Sequence, residues 1–285
     1  MKRIIMFLIG AVLSGLIINL PASGAEIITR KVAGTKEELV YDILELVLSK
    51  TMPDASLIQA SEVLNGARLR EEVKQGNIDV MWTGASPEND RQLLTIRIPV
   101  LKGLLGHRIF IIRKGEQFRF DNISTLNDLK QLNAGQGTFW GDNKVLGAAN
   151  VPVITTIKYA NLLPMLDGER FDYFPRAVHE PWSEVASRPE MNLTVEKKLM
   201  LIYPNAMYFF VNKNNHKLHE KIFTGFEMAI KDGSFDDLFF NHPMIKDVLA
   251  KANLKQRTVL RIDNPYLHPD TPTGRSEFWL DITKL

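Results

Sequence analysis

From residue 26 to residue 82 the chain alternates short β-branched stretches with amphipathic helical ones, and this alternation restricts the fold most. Residues 26–32 read as a strand. Thr35 then stands as a helix N-cap with Glu37 and Glu38 in the first turn, and Leu39, Ile43, Leu46 and Val47 keep helical spacing to about residue 50. Residues 56–60 read as a second strand, 67–74 as a helix stopped at Gly76, and 77–82 as a third strand. Strand, helix, strand, helix, strand is the order of a parallel α/β sheet. Residues 97–100 and 108–113 are further strands, the second carrying the run Ile109-Phe110-Ile111-Ile112 that suits a buried position. The pattern then restarts. A short helix to residue 132 is capped by Ser124 or Thr125, a glycine-rich turn follows at Gly135-Gln136-Gly137-Thr138, and residues 153–157, 172–174 and 207–211 read as strands. Helices are expected at 162–166, 216–231 and 242–252, with a strand at 258–262. Residues 265–274 form a polar, proline-rich loop. With no repeat and no linker between them, the two α/β series predict two lobes joined by a pair of strand crossings, with a cleft between them. The first lobe is expected to take residues 26–107 and 208–285, including a C-terminal extension from about residue 241, and the second to take 108–207.

Before residue 26 the sequence changes character. Lys2 and Arg3 precede an apolar run over 4–18, and Pro21-Ala22-Ser23-Gly24-Ala25 follows. This is the order of a secretory signal peptide over residues 1–25, cut after Ala25, and it predicts a periplasmic protein. The apolar run is short for a membrane span. About 260 residues remain, enough for lobes with real cores. There are no cysteines, so an exported chain of this kind depends on its apolar core, and thiol catalysis and cysteine-based zinc sites are excluded. The net charge of +2, without a basic tract, gives nucleic-acid binding no electrostatic support. His216 and His219 lack a third ligand nearby, and His179-Glu180 does not make a zinc motif. Gly141 comes one residue late for a dinucleotide fingerprint, so no metal or cofactor is expected.

Several side chains have the chemistry for a ligand, each with a plainer alternative. Arg91 carries a forked guanidinium suited to a carboxylate, or it pairs with Asp90 or Glu88 at the surface. Thr83 and Ser86 offer hydroxyl groups, or serve as turn residues. Gly137 and Thr138, with Phe139 beside them, offer backbone donors at a helix N-terminus, or form a plain turn. Trp82 ends the third strand close to the expected cleft, where a ring either meets a ligand or joins the core. Arg176 brings a second guanidinium, or pairs with Glu180 four residues on.

Asp79-Val80-Met81-Trp82-Thr83-Gly84-Ala85-Ser86-Pro87-Glu88-Asn89-Asp90-Arg91 resembles the first-lobe signature of the family 3, polar amino-acid type, periplasmic solute-binding proteins. There a strand ending in Asp is followed by a Ser/Thr-rich loop, with an Arg twelve residues after the Asp. Ile98-Pro99-Val100 stands where that family has an aromatic-rich motif, and Leu126-Asn127-Asp128-Leu129 followed by Gly135-Gln136-Gly137-Thr138 is similar to its second-lobe opening. The segments 168–174 and 226–238 look like its strand entry and closing helix. The resemblance spans about residues 26–240. It implies a two-lobed type II periplasmic binding protein fold with two hinge strands, capture of a solute by lobe closure, and a ligand carboxylate on Arg91. One position departs. Where amino-acid binders of that family carry an acid for the ligand ammonium, about five residues after the strand-entry Asp172, this chain has Ala177, beside Arg176. The expectation is therefore a monomeric binding protein for a small anionic or zwitterionic solute, serving an ABC permease or a membrane sensor. The alternative is an enzyme on the same fold, similar to cyclohexadienyl dehydratases, with His179 or Glu180 as general acid.

Overall fold

The computed structural model describes residues 24–285, so the expected signal peptide lies, but for Gly24 and Ala25, outside the described residues. The first series gives β1 (Glu26–Thr29), α1 (Thr35–Thr51), β2 (Ser56–Gln59), α2 (Gly66–Gln75), β3 (Val80–Gly84), α3 (Pro87–Gln92) and β4 (Leu93–Ile96). The second gives β5 (His107–Arg113), α4 (Phe118–Asp121), α5 (Leu126–Leu129), β6 (Ala134–Gly137), α6 (Asp142–Ala148), β7 (Val153–Thr156), α7 (Leu162–Asp167), β8 (Phe174–Ala177), α8 (Pro181–Ala186), β9 (Leu193–Val195) and β10 (Leu199–Ile202). The chain then returns as β11 (Met207–Asn212), α9 (His216–Lys231), α10 (Ser234–Asn241), α11 (Pro243–Ala252) and β12 (Thr258–Arg261).

The strands form two main sheets. One is ordered β2-β1-β3-β11-β4, with β1 parallel to β2 and β3, and β11 antiparallel to β3 and β4. The other is ordered β12-β10-β5-β8, and β6 with β7 extends it through a bridge from Ala134 to Tyr173 beside β8. Helix α1 packs its Leu39, Ile43, Leu44 and Val47 face against the first sheet together with Phe226 of α9 and Phe235 of α10. Leu69 and Val73 of α2 cover the opposite face with Met81, Tyr208 and Phe210. The second sheet is covered on one side by Phe110, Phe120, Tyr173 and Leu201, and on the other by Ile111, Leu166 and Phe174.

Two crossings join the sheets, residues 97–106 and 203–206. They run side by side: the Tyr203 amide donates to the Gly106 carbonyl at 3.1 Å, and a Cβ at Gly106 would stand 1.8 Å from the Tyr203 carbonyl oxygen. The register differs from expectation at two places. No strand forms at the expected 97–100, where Pro99 brings no N–H to a ladder; β4 lies just before it, at Leu93–Ile96. The motif Gly135-Gln136-Gly137 is a strand, not a turn at a helix N-terminus: it pairs in parallel with β7, the flanking Ala134 and Thr138 amides donate to Pro152 and Thr156, the Gly135 amide donates to Tyr173, and α6 begins only at Asp142. The C-terminal extension is also not confined to the first lobe, since β12 pairs in parallel with β10 of the second sheet.

Candidate functional site

Strand direction fixes where the polar groups gather. In the second sheet Arg108 of β5 faces Ala177 at the end of β8, and Leu201 of β10 on its other side, so Arg108, Tyr203 and the β8–α8 turn share one end. The chain leaving β6 brings Trp140 and Asp142 to the same end. Arg108 is buried, and its Nη2 lies 2.5 Å from the Asp142 carboxylate, which also accepts from the Tyr203 hydroxyl. Burial alone would lower the Arg108 pKa, but Asp142, Tyr203 and Glu180 raise it overall, so the guanidinium stays charged.

Arg176 points to the opposite face of the same sheet end. Its Nε and Nη2 bond the Glu184 carboxylate at 2.6–2.9 Å, and Nη2 also meets Glu180 Oε1 at 2.9 Å. The guanidinium carbon lies 4.9–5.8 Å from the ring centroids of Phe174, Trp140 and Tyr159, so the cation sits in an aromatic cage closed by two carboxylates. Gly137 is needed for this packing, since a Cβ there would come 2.6 Å from the Trp140 ring. The Tyr159 hydroxyl completes the group by donating to Glu184 at 2.7 Å. Glu180 folds back so that Oε2 accepts from the Ala177 amide at 2.8 Å, and its side chain stays 26 % exposed. Burial would raise its pKa, but Arg176, His179 and Arg108 pull it below the usual carboxylate range. Burial pushes the neighbouring His179 down to about 4, and Lys36 at the start of α1 is close enough to act in the same direction. Val178, just before His179, lies in the same buried cluster as Leu39 and Val40 of α1, so the two halves meet here.

The first half contributes differently. Trp82 is fully buried in the core, its indole N–H donates to Glu37 and its carbonyl accepts from Arg30 at 2.9 Å. Of the two roles expected for Trp82, the ring takes its place in the core cluster. Ser86 caps α3, its Oγ accepting from the Asn89 amide at 3.2 Å. Thr83, half-buried on β3 opposite Tyr208, makes no side-chain hydrogen bond among the described residues. Arg91 stands apart from these groups. It is exposed at the end of α3, and its carbonyl accepts from Lys213, which follows Asn212 of β11. Asn212 pairs with Leu93 and Val211 with Val80, so this is the end of the sheet away from the Gly84–Ser86 turn.

Of the expected site residues, then, the structure gathers Gly137, Thr138, Phe139 and Arg176 at one sheet end and leaves Arg91 apart. Phe139, 82 % exposed, and Thr138 stand at the rim, where the Thr138 amide donates to Thr156. The amide of Thr138 is thereby occupied, which removes it as a ligand donor. Arg108, Asp142, Tyr203, Glu184 and Lys36 were not singled out in the sequence. Arg108 left one trace, a charge heading the otherwise apolar run 109–112. Asp142 and Glu184 left none, being separated from their partners by 34 and 8 residues.

Two sheets joined by paired crossings form a recognisable architecture. This is the fold of the two-lobed solute-binding proteins. A probable amino-acid ABC transporter extracellular-binding protein from Bacillus subtilis superposes with a TM-score of 0.56 at 15% identity, covering 78% of this chain and 98% of that one. An ancestral arginine-binding protein bound to arginine gives 0.51 at 18% identity, over 78% and 98% of the two chains. A histidine kinase sensor domain with similarity to periplasmic binding proteins gives 0.50 at 14% identity, over 77% and 96%. No protein-family model matches the sequence, and none of the curated proteins does. At such identities the two-lobed binding fold is what the likeness establishes; the ligand must be read from the residues.

Proposed function

We propose that this chain is an exported, monomeric solute-binding protein that closes its two halves on a small zwitterionic solute and presents it to an ABC permease or a membrane sensor. The observation that carries this is the charged cluster at the end of the second sheet, where Arg108 meets Asp142 and Arg176 meets Glu180 and Glu184 beside the first half. Arg176 was expected to favour an anion. Instead Glu184 and Glu180 engage it, and three carboxylates (Asp142, Glu180, Glu184) stand against two guanidiniums (Arg108, Arg176). With Lys36 counted the cations number three as well, so the cluster offers a wholly anionic ligand no surplus of positive charge. Glu180 supplies a partly exposed carboxylate at the strand end where Ala177 leaves the resembled family's acid missing, and it suits a ligand ammonium. Phe139 offers an exposed ring for the ligand's apolar part. The structural neighbours serve both an importer and a sensor by their names, which supports either outlet.

The enzyme alternative is less well supported. A general acid at neutral pH needs a proton to give. Burial keeps His179 neutral to about pH 4, and Glu180 is held below the usual carboxylate range.

Thermal unfolding of the protein with each common L-amino acid, and with the matching amine and carboxylic acid, tests the reading. A ligand at a hundred times its dissociation constant adds about 2.7 kcal/mol of stability, a shift of several degrees. The expected result is a shift with one or a few zwitterions and none with their half-molecules. A shift with simple dicarboxylates alone would overturn the zwitterion, and turnover of the bound compound would overturn the binding role.

A further inference from the structure

The C-terminal extension has no role in the site above, yet it touches both halves. Helix α11 lies on the first half, where Met244, Ile245 and Val248 join the cluster of α1. Arg257 then bonds the Leu199 carbonyl at 2.8 Å and meets the buried Glu196 of the second half at 3.4 Å. Strand β12 adds an edge to the second sheet in four-residue register with β10. The chain continues in the same direction alongside the second crossing, where the Ile262 amide donates to the Ile202 carbonyl at 3.0 Å and Asn264 Nδ2 to the Pro204 carbonyl at 2.8 Å. It finishes on the first crossing. There Lys102 and Gly103 form a left-handed bend, with φ of 47° and 72°. The Leu280 amide donates to the Lys102 carbonyl at 2.8 Å, and Lys102 Nζ donates to the Glu277 carbonyl at 2.7 Å. The Trp279 ring lies on Gly103, so close that a Cβ there would be 2.4 Å from it. Trp279 is itself fixed by its indole N–H to the Pro272 carbonyl at 2.9 Å.

One segment therefore bonds both crossings and both halves. Two crossings alone let the halves swing about them. Two further passages, one of them clamped to a bend that a lysine holds in the left-handed region, add bonds that must stretch or break in such a swing. We propose that residues 257–285 are a strap that sets the angle between the halves and limits how far the cleft opens without ligand. The strap holds the crossings, not the ligand. Its loss widens the resting state and leaves the side chains of the cleft in place.

The chain has no cysteine, so a pair of spin labels at Glu62→Cys and Lys158→Cys is unambiguous. Both residues are exposed, just beyond β2 and β7 on either side of the cleft. Distances between the labels are measured on ligand-free protein, with Trp279→Ala and, separately, with Asn264→Ala, after each variant is seen to melt cooperatively. The strap predicts a longer and broader distribution in Trp279→Ala and a smaller change in the same direction in Asn264→Ala. Unchanged distributions in folded variants overturn it. If Trp279→Ala fails to fold, Asn264→Ala alone decides. No ligand enters the measurement, so its outcome is independent of the reading of the cleft.

Discussion

The loop from Thr83 to Arg91 and the second-sheet cluster around Arg176 hold similar residue types, yet the fold uses them in opposite ways. In the loop, polar groups finish local structure: Ser86 caps a helix and Asp90 accepts from Thr95 and Arg97 at 2.7 and 2.9 Å. In the cluster, groups distant in sequence are held together in partial burial, where charge is worth more. Spacing along the chain finds the first kind of arrangement, whereas strand register is needed to find the second. A motif match singles out Arg91, and the register of β3, β4 and β11 sets it at the other end of the sheet from the Gly84–Ser86 turn.

The largest effect that sharpens this contrast is the loss of a carboxylate from the cluster. Glu184→Ala strips Arg176 of its bidentate partner in a buried site, and should cost about 3 kcal/mol, the low end for a broken buried pair because Glu180 remains. Urea unfolding measures it; a cost under about 1 kcal/mol would put the pair in the class of exposed ones.

The next effect is acid sensitivity. Burial pushes both His107 and His179 down to about 4. An unfolded histidine takes its proton below about 6.5. Between those values the unfolded chain binds protons that the folded chain does not, so stability is lost as pH falls through that window. The loss is up to about 3 kcal/mol for each histidine, and less for His179, which keeps an exposed edge. His179→Gln should flatten the slope of stability against pH between 6.5 and 4, while an unaltered slope would remove His179 from the cluster's electrostatics.

The loop should respond more weakly. Ser86→Ala removes an N-cap and should cost about 1 kcal/mol. The smallest effect belongs to Arg91→Ala, within about 0.5 kcal/mol of the parent, since its side chain is exposed and makes no bond among the described residues. A larger cost in chemical denaturation would mean that the guanidinium has a partner.

Much of the fold was legible in the sequence. The β-α-β-α-β order, the helix stopped at Gly76 in a left-handed C-cap, the capping box of Thr125 with Asp128 and the helix His216–Lys231 are all local features with local causes. Gly135 to Gly137 was misread because glycines are turn residues by default, and only the rings of Phe171 and Trp140 packed against them explain glycine in a strand. The extension resisted reading because β12 pairs with β10, some sixty residues earlier, and nothing in its own residues names that partner. In the site, Arg176 and Glu180 were visible as an i, i+4 pair. Asp142 and Tyr203 were not, since only the sheet brings them together, and Glu184 was not, since it reaches Arg176 through the turn from β8 into α8.

The central claim is that ligand chemistry rests on the second-sheet cluster and not on Arg91. The most direct measurement compares the ligand-induced melting shift of Glu180→Gln and Arg91→Ala with that of the parent, using whichever L-amino acid stabilises the parent most. The account predicts that Glu180→Gln loses the shift and that Arg91→Ala keeps it. A lost shift in Arg91→Ala with a retained one in Glu180→Gln would contradict it.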